Sequence, residues 1–242
     1  MSAHIAIASW IDPRHLTREV GLGYRAAFAA HPAHAVVLPD FLAPTLAERL
    51  AHLLGAEAEY TAGHGLKSRY GFVPEDEWRA APAADRFFRY GFLTRARGEL
   101  LERPDFATLL AVQQAFDAPA TRAFFSAICG RPLGAVTTSA RRMAPGDFLA
   151  EHTDDIGQRL ISFVLYLTPA WAPGHGGELE LDDGSGAYAH RVAPRFNHLA
   201  LFDARAWHRV APLAEAPPAP ARVTLGGWYL DPAAPSPGAT PS

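Results

Sequence analysis

The pattern of apolar and polar residues changes near residue 135. Before that point, apolar side chains recur at the three- and four-residue spacing of helices. The clearest run begins behind Pro44, a residue suited to a first helical turn, and Gly55 is expected to end it. Its apolar positions are Leu46, Leu50, Leu53 and Leu54. The chain up to about residue 134 is therefore predicted to form a helical support.

Other stretches of this first part also predict helices. One covers Asp105–Phe116, and another runs over Pro119–Cys129, with Gly130 past its end as a cap. A third stretch is interrupted by Gly21 and Gly23, which weaken a helix. Its apolar residues lie four apart, at Leu16, Val20, Tyr24 and Phe28. This spacing still favours a helix there.

After about residue 135 the chain consists of short apolar runs separated by proline and glycine. Ile161–Leu167 is rich in β-branched and aromatic residues, and Glu178–Leu181 alternates between polar and apolar. Leu199–Phe202 and Val223–Leu230 follow. Several strands at this spacing predict a jelly roll or a barrel-like sandwich over about residues 135–230. The fold class is therefore predicted to be α+β.

Length and composition set the domain organisation. The chain has 242 residues and is 49% apolar, which suffices for a sizeable core. We predict one domain over residues 1–230. Residues 231–242 are mostly proline, alanine, serine and glycine, and they are predicted to be a disordered tail. The proline-rich segment 214–220 is predicted to be a peripheral loop.

Charge and cysteine content narrow the classes of partner. The formal net charge is -3 and the basic residues are scattered, so no nucleic acid is expected to bind. No apolar stretch approaches the ~20 residues that span a bilayer, so no membrane partner is expected. The single cysteine, Cys129, is predicted to be a buried, inert thiol. A reducing cytoplasm is the predicted location.

The strongest chemical signal is a split set of two histidines and one carboxylate. Residues two apart in a strand point to one face, so His152 and Asp154 can reach one point while Thr153 turns away. The neighbouring Asp155 would face the opposite side. A second histidine, His208, arriving from a later strand would complete three ligands. Imidazole and carboxylate with open positions are the ligand set of non-heme Fe(II) oxygenases.

The order of the motifs around these residues resembles a known family. The motifs are Gly146–Leu149 before His152–Asp154, Arg159 before Val164–Leu167, Gly176–Leu179, Val192–Pro194 with Asn197–Phe202, Trp207–Val210, and Arg222–Trp228. Together they resemble the 2-oxoglutarate and Fe(II)-dependent dioxygenases, in the prolyl 4-hydroxylase-like branch. Trp171 and the ending of the series make the chain most similar to the group that hydroxylates a ribosomal-protein prolyl residue. Val36–Leu42 is similar to the first strand of these enzymes.

The resemblance implies a double-stranded β-helix, or jelly-roll, core with N-terminal supporting helices. It implies Fe(II) bound by His152, Asp154 and His208, with 2-oxoglutarate and O2 as co-substrates and ascorbate as an optional addition. Arg222 offers a forked, permanently charged donor for the distal carboxylate of 2-oxoglutarate. By the family's pattern, Tyr166 donates its hydroxyl to the same carboxylate. The expected reaction is hydroxylation of a C–H bond with release of succinate and CO2.

One position departs from the family's pattern. Many relatives carry tyrosine just before the segment that begins at Gly146, where this chain has Met143. That tyrosine contacts the oxo acid or the substrate, so the departure puts one hydrogen bond to the co-substrate in question.

Each candidate residue also has an ordinary structural interpretation. A single histidine is more often a hydrogen-bonded structural residue than a ligand. Arg222 could form a structural ion pair, and Tyr166 could simply pack in the core. Loop or surface positions are predicted for His175, His190 and His198, and core positions for Leu179, Phe202 and Trp228.

The stretch Gly63–Phe92 is rich in glycine, arginine and aromatic residues and has no clear periodicity. It is a candidate flap over the substrate. Its candidate members are Arg69, Tyr70, Trp78, Arg86, Arg89 and Tyr90. An exposed charged loop accounts for them equally well.

Three functions remain open at this point. The first is a peptidyl hydroxylase acting on a prolyl residue, which rests on family analogy alone. The second is a small-molecule hydroxylase acting on a free amino acid or a biosynthetic intermediate. The third is a non-catalytic metal-binding sensor, which Arg222 argues against, because a structural metal needs no anchor for a co-substrate. The predicted partner is a protein, peptide or small-molecule substrate, and no oligomeric state is predicted.

Overall fold

The computed structural model describes residues 7–69, 71–94 and 104–234. Its α-helices are α1 (Arg18–Ala30), α2 (Pro44–His52), α3 (Glu75–Ala80), α4 (Pro104–Asp117) and α5 (Pro119–Cys129). Its strands are β1 (Ala35–Leu38), β2 (Tyr60–Leu66), β3 (Gly71–Val73), β4 (Arg86–Leu93), β5 (Val136–Met143), β6 (Phe148–His152), β7 (Arg159–Tyr166), β8 (Leu179–Leu181), β9 (His190–Val192), β10 (Leu199–Asp203), β11 (His208–Val210) and β12 (Arg222–Leu230). Short 3-10 turns lie at Ile7–Ser9, Pro13–Leu16 and Ala83–Asp85, and a π-helical turn at Leu53–Glu57 follows α2.

The strands form one continuous antiparallel sheet that curls into a nearly closed barrel. The order along the sheet is β1-β10-β7-β12-β5-β4-β6-β11-β8-β9, and β2 pairs with β3 and β4. Strand β4 joins the two halves, because it pairs with both β5 and β6. Side chains from both halves line one internal cavity. The predicted α+β class with a jelly-roll core is confirmed.

Helices α4 and α5 pack against the central strands of the sheet through aromatic side chains. Phe116 stacks on Phe163 of β7 with ring centroids 4.7 Å apart, and Phe125 packs against Tyr229 of β12. The Tyr229 hydroxyl donates a hydrogen bond to the Phe116 carbonyl oxygen at 2.8 Å. All four side chains are fully buried, and burying a phenylalanine side chain stabilises a fold by roughly 1.5–3 kcal/mol. The helices therefore hold β7 and β12 in place.

The helices predicted at Asp105–Phe116 and Pro119–Cys129 are confirmed as α4 and α5. Gly130 follows α5 in the left-handed conformation with φ of 72°, the geometry of a C-terminal cap. The interrupted stretch forms α1 in spite of its two glycines. Gly21 and Gly23 have open space around them, since an added Cβ would meet nothing within 4 Å. The glycines therefore weaken α1 without breaking it.

The prediction that Gly55 ends the second helix is wrong. The chain passes from α2 into the π-helical turn Leu53–Glu57, and Gly55 lies inside that turn. The Ala58 N–H donates to the Leu53 carbonyl oxygen at 2.8 Å and closes the turn. Leu53 and Leu54 are both buried. The wider turn allows these two consecutive side chains to reach the core together.

The expectation of a mainly helical first part is wrong for residues 60–93. That stretch contributes β2, β3 and β4 to the sheet, with α3 between β3 and β4. Glycines in these strands make room for aromatic rings, because a Cβ at Gly63 would collide with Phe92 and one at Gly65 with Phe88. Glycine inside a strand breaks the alternation by which strands are recognised. The candidate flap is therefore largely regular sheet.

Three expectations from composition have different outcomes. Cys129 is largely buried, and this burial raises its pKa to about 12, so the thiol stays protonated and weakly reactive at neutral pH. Within the described residues, no helix has the length and apolar character needed to cross a membrane.

Residues 235–242 of the predicted tail lie outside the described residues. The disordered tail and the single domain over residues 1–230 remain predictions.

A substitution in β12 tests the close pairing of the central strands. Gly227 lies against β5, and a Cβ at this position would collide with the Thr137 carbonyl oxygen. We expect Gly227→Ala to lower the free energy of unfolding by about 1–3 kcal/mol, because the added methyl group must displace a paired strand. Chemical denaturation followed by circular dichroism measures this change.

The matched control is Gly21→Ala in α1, which adds the same methyl group where space is open. We expect it to raise the free energy of unfolding by about 0.5–1 kcal/mol, because alanine favours helix over glycine. Equal effects of the two substitutions would contradict the packing described at Gly227.

Candidate active site

Two neighbouring strands bring the split histidine and carboxylate set together. His152 is the last residue of β6, and His208, the first residue of β11, pairs directly with it. Their ring centroids are 4.1 Å apart. The Asp154 carboxylate lies 3.7 Å from His152 Nε2 and 3.5 Å from His208 Nε2. One potential ligand atom from each of the three residues therefore lies within 4.8 Å of the others.

The position of Asp154 has a different cause from the one predicted. Strand β6 ends at His152, so alternation along a strand does not orient Asp154. Instead, its backbone N–H donates to the Ala204 carbonyl oxygen at 2.8 Å, and the Ser162 hydroxyl donates to its carboxylate at 2.7 Å. The neighbouring Asp155 is exposed. Contacts from other strands thus select which carboxylate faces the histidines.

Backbone contacts set the direction of both imidazoles. His152 Nδ1 lies 2.9 Å from the Ala150 carbonyl oxygen, and His208 Nδ1 lies 2.9 Å from the Ala206 carbonyl oxygen. A carbonyl oxygen only accepts hydrogen bonds, so each Nδ1 carries the proton and each Nε2 keeps its lone pair. Both Nε2 atoms are on the side of Asp154. This tautomer is the one that binds a metal through Nε2.

Burial sets the charges of this cluster. It lowers the pKa of His152 to about 4, and His208 acts in the same direction. Burial would raise the pKa of Asp154, but the two histidines and hydrogen bonds from Ser162 and Trp228 together hold that pKa below its usual value. At neutral pH the cluster thus offers a neutral His152 and an ionised carboxylate. These are the protonation states that a divalent metal such as Fe(II) requires of its ligands.

Arg222 lines the same cavity, and Tyr166 is buried beside it. Arg222, the first residue of β12, is 5% exposed, and Tyr166, the last residue of β7, is fully buried. The Arg222 Cζ atom lies 5.1 Å from the centre of the Tyr166 ring. Among the described residues, the Tyr166 hydroxyl and Arg222 Nε have no hydrogen-bond partner. A buried cation beside an unused hydroxyl fits an anionic ligand such as the distal carboxylate of 2-oxoglutarate.

Met143 contributes only a weak hydrogen-bond acceptor to this pair. It pairs with Arg222 across β5 and β12, and its sulfur lies 3.4 Å from Arg222 Nη1. The side chain is buried and lines the cavity. A thioether is only a weak acceptor, so Arg222 keeps most of its donors for a ligand.

The sequence profile of the 2OG-Fe(II) oxygenase superfamily matches residues 138–230, which include the three candidate metal ligands, Arg222 and Tyr166. Over these residues the chain is similar to that superfamily. The family resemblance inferred from the motifs is confirmed.

Curated relatives match the chain over a limited length. The prolyl 3,4-dihydroxylase OGFOD1 of Ostreococcus tauri is 30% identical over 135 residues, which are 50% of this chain and 26% of that protein. The prolyl 3-hydroxylase OGFOD1 of Xenopus laevis is 31% identical over 90 residues, which are 34% of this chain and 17% of that protein. The matched part of the chain thus spans about a quarter or less of these relatives.

Solved structures share the fold over most of the chain. A prolyl 4-hydroxylase from Pseudomonas putida aligns with a TM-score of 0.58 and 21% identity, over 87% of this chain and 98% of that one. A prolyl hydroxylase from Trichoplax adhaerens, in complex with a peptide fragment of hypoxia inducible factor, aligns with a TM-score of 0.58 and 15% identity, over 90% of this chain and 96% of that one. At these identities the likeness shows the double-stranded β-helix fold.

The remaining histidines of residues 138–230 lie outside the cavity. His175 Nδ1 accepts a hydrogen bond from the Ala172 N–H at 3.0 Å. His190 packs against His31 with ring centroids 4.6 Å apart, and His198 Nδ1 lies 3.0 Å from a neighbouring carbonyl oxygen. None of the three joins the set of potential ligands found among the described residues.

Three residues predicted to be core have a second role as cavity wall. Leu179 and Phe202 are buried as expected, and both line the cavity. Trp228 differs from the prediction, because it is only half-buried and its ring faces the cavity. The Arg159 guanidinium lies 3.8 Å from the centre of that ring. The apolar character of Leu179, Phe202 and Trp228 in the sequence did not indicate which residues line a cavity and which pack only in the core.

The arginines of the candidate flap are held by structural contacts. Arg89 forms an ion pair of 2.6 Å with Asp147, and Arg69 forms one of 3.0 Å with Glu77. Arg86 donates to a backbone carbonyl oxygen at 2.7 Å. Tyr70 lies outside the described residues, Trp78 is buried, and Tyr90 lines the cavity. These contacts favour a structural role for the three arginines.

Removing one histidine tests the candidate metal site directly. We expect His208→Ala to weaken Co(II) binding by about 100-fold or more, because even residues behind the ligands change metal affinity by 10- to 100-fold. Isothermal titration with Co(II) measures the affinity, and circular dichroism checks the fold.

The matched control is His52→Ala on α2, where the histidine is exposed and pairs with Glu57. We expect it to bind Co(II) as the wild type does. Wild-type affinity in the His208 variant would remove this residue from the proposed ligand set.

Proposed function

We propose that this chain is an Fe(II)- and 2-oxoglutarate-dependent dioxygenase that hydroxylates a prolyl residue of a peptide or protein. The observation that carries the proposal is the pairing of two features in one cavity. One is the His-Asp-His cluster, and the other is the buried Arg222 with the unused Tyr166 hydroxyl beside it. A metal ligand set with a separate anion site is what a metal and an oxo acid require together.

In this proposal His152, Asp154 and His208 hold the metal and leave part of its coordination sphere open. Arg222 and Tyr166 hold the distal carboxylate of 2-oxoglutarate through a charged fork and one hydroxyl. When bound, Fe(II) with 2-oxoglutarate and O2 supplies the oxidising chemistry that converts a C–H bond into an alcohol, with release of succinate and CO2. The residues themselves orient these groups and exclude water from them.

The hypothesis of a non-catalytic metal-binding sensor has less support than the hypothesis of an enzyme. A metal that only stabilised or signalled would need no buried cation behind it. Burial lowers the pKa of Arg222, because removing a charge from water is unfavourable. That cost is offset when an anion binds.

A peptide substrate is supported by an outer cavity beside the metal cluster. This cavity has a volume of about 430 Å³ and shares His152 with the inner one. Two of its lining residues are large, apolar and unusually exposed, Ile156 at 59% and Trp207 at 52%. Exposed apolar residues next to a site are common where a partner binds. The relatives named as prolyl hydroxylases agree with this substrate class.

A small-molecule substrate is the second candidate. The inner cavity has aromatic side chains, among them Tyr90, Phe202 and Trp228, in its lining, and such a lining suits a compact substrate as well. The cytoplasm is proposed as the location from the single unpaired cysteine and the stability of ferrous iron under reducing conditions. Ascorbate is proposed as an optional addition to the assay.

The central test is the formation of succinate from 2-oxoglutarate under air with Fe(II). We expect the wild type to form succinate and the Asp154→Ala variant to form none, because the metal loses its carboxylate ligand. Mass spectrometry of proline-containing peptides and of free proline should reveal a gain of one oxygen. Full activity in the Asp154 variant would contradict the proposed site.

The anion site has its own test in two conservative variants. Arg222→Lys keeps the charge but loses the planar fork, so we expect the 2-oxoglutarate concentration for half-maximal rate to rise much more than the maximal rate falls. The expected loss of binding free energy for 2-oxoglutarate is about 2 to 5 kcal/mol, the range for a buried charge that is left poorly paired. Tyr166→Phe removes one neutral donor and should have a smaller effect. An unchanged 2-oxoglutarate requirement in the Arg222 variant would reassign this residue to structure.

A further inference from the structure

A second arginine faces the candidate active site and is not used by the proposed chemistry. Arg141 lies on β5 two residues before Met143, so both side chains are on the inner face of the sheet. It lines the same cavity as His152 and Asp154. It pairs with Thr224 of β12, two residues along the strand from the pair formed by Met143 and Arg222.

Two aromatic rings hold Arg141 in position. Its Cζ atom lies 5.3 Å from the centre of the Tyr90 ring and 5.3 Å from the centre of the Trp228 ring. Contacts of this kind use the faces of the rings and leave the N–H groups of the guanidinium free to donate. Tyr90 and Trp228 line the cavity beside it. The guanidinium is thus fixed by packing and still available to a ligand.

Arg141 has no carboxylate partner among the described residues. Its Nε is buried and makes no hydrogen bond. Other arginines of the domain differ, since Arg131 pairs with Asp203 at 2.9 Å and Arg209 with Glu180 at 2.6 Å. Arg159, the nearest comparable case, has Asp154 at 4.0 Å. A buried, unpaired donor on a charged group is costly, so its retention points to a ligand.

The charges of the proposed metal and co-substrate leave Arg141 unbalanced. Ferrous iron and Arg222 together balance the Asp154 carboxylate and the two carboxylates of 2-oxoglutarate. The cavity therefore carries an excess of positive charge on the side of Arg141, and the remaining ligand to consider is the substrate.

We propose that Arg141 binds a carboxylate of the substrate. The substrate is then either a peptide with an acidic residue directly beside the hydroxylated proline or a small molecule with a free carboxylate. The planar fork of Arg141 matches such a group bidentately. The inference rests on the proposed function for the reaction, but the binding of the carboxylate can be measured without turnover.

The binding experiment uses protein loaded with Zn(II) and 2-oxoglutarate, which prevents turnover. The probes are short, end-blocked peptides with one proline and with Glu, Gln or Lys directly before or after it, together with free L-proline and L-prolinamide. We expect the Glu peptide, or free proline, to bind roughly tenfold to a hundredfold more tightly than its amide counterpart, the range for replacing a charge-assisted hydrogen bond by a neutral one. The peptide and free-acid pairs distinguish the two sources of the carboxylate.

Two variants and one control assign the preference to Arg141. We expect Arg141→Met to abolish the difference between acid and amide, and Arg141→Glu to favour the Lys peptide. The control is Arg142→Met, because Arg142 is the next residue on the strand and its exposed side chain faces outward. This control should keep the wild-type preference, and circular dichroism checks that all variants are folded.

Several results would overturn the inference. These are equal binding of acid and amide by the wild type, no binding of any probe, or a preference that survives in Arg141→Met. A rise in the 2-oxoglutarate requirement of Arg141→Met would assign the residue to the co-substrate instead. The succinate assay separates the two proposals. Succinate formation without a charge preference contradicts only the role of Arg141, and a charge preference without succinate formation contradicts only the proposed reaction.

Discussion

The pairing of β11 with β6 is the interaction on which the candidate site depends. It places His208 directly opposite His152, although the two residues are far apart in the chain. Backbone carbonyl oxygens next to each histidine then direct both Nε2 atoms to Asp154. A metal at this point would connect two strands that are already hydrogen-bonded. The sheet therefore places the two histidines, whereas Asp154 follows β6 and is placed by its contacts with Ala204 and Ser162.

Desolvated charge is the second constraint. Arg222 and Arg141 both lie on the inner face of the sheet, and neither has a carboxylate partner within the described part of the chain. Arg222 lies beside a free hydroxyl, whereas Arg141 lies between aromatic rings. The two surroundings suit different ligands. The surroundings of Arg222 favour a small dicarboxylate that is fully enclosed. The surroundings of Arg141 favour a carboxylate that enters with the substrate.

The first part of the chain supports the site in two ways. Helices α4 and α5 pack through fully buried aromatic rings on β7 and β12, the strands that carry Tyr166 and Arg222. Strand β4 contributes Tyr90 to the cavity and joins the two halves of the sheet. The predicted division into an N-terminal helical support and a C-terminal β core is thus incomplete, because β4, a strand of the first part, completes the barrel.

The sequence by itself determined the elements with strong local signals. Helices α4 and α5 have clear periodicity and end signals, and the motifs around His152, His208 and Arg222 lie in the order of a known family. Strands β2 to β4 were not predicted, because their glycines, which make room for rings of neighbouring strands, interrupt the alternation of apolar and polar residues. The π-helical turn at Gly55 was not predicted either, and it brings two consecutive leucines into the core. Only the tertiary structure decided that Trp228 and Arg141 face the cavity and that Arg141 has no partner there. These properties depend on which residues of distant strands come opposite each other, and strand register is set by the packing of the whole sheet.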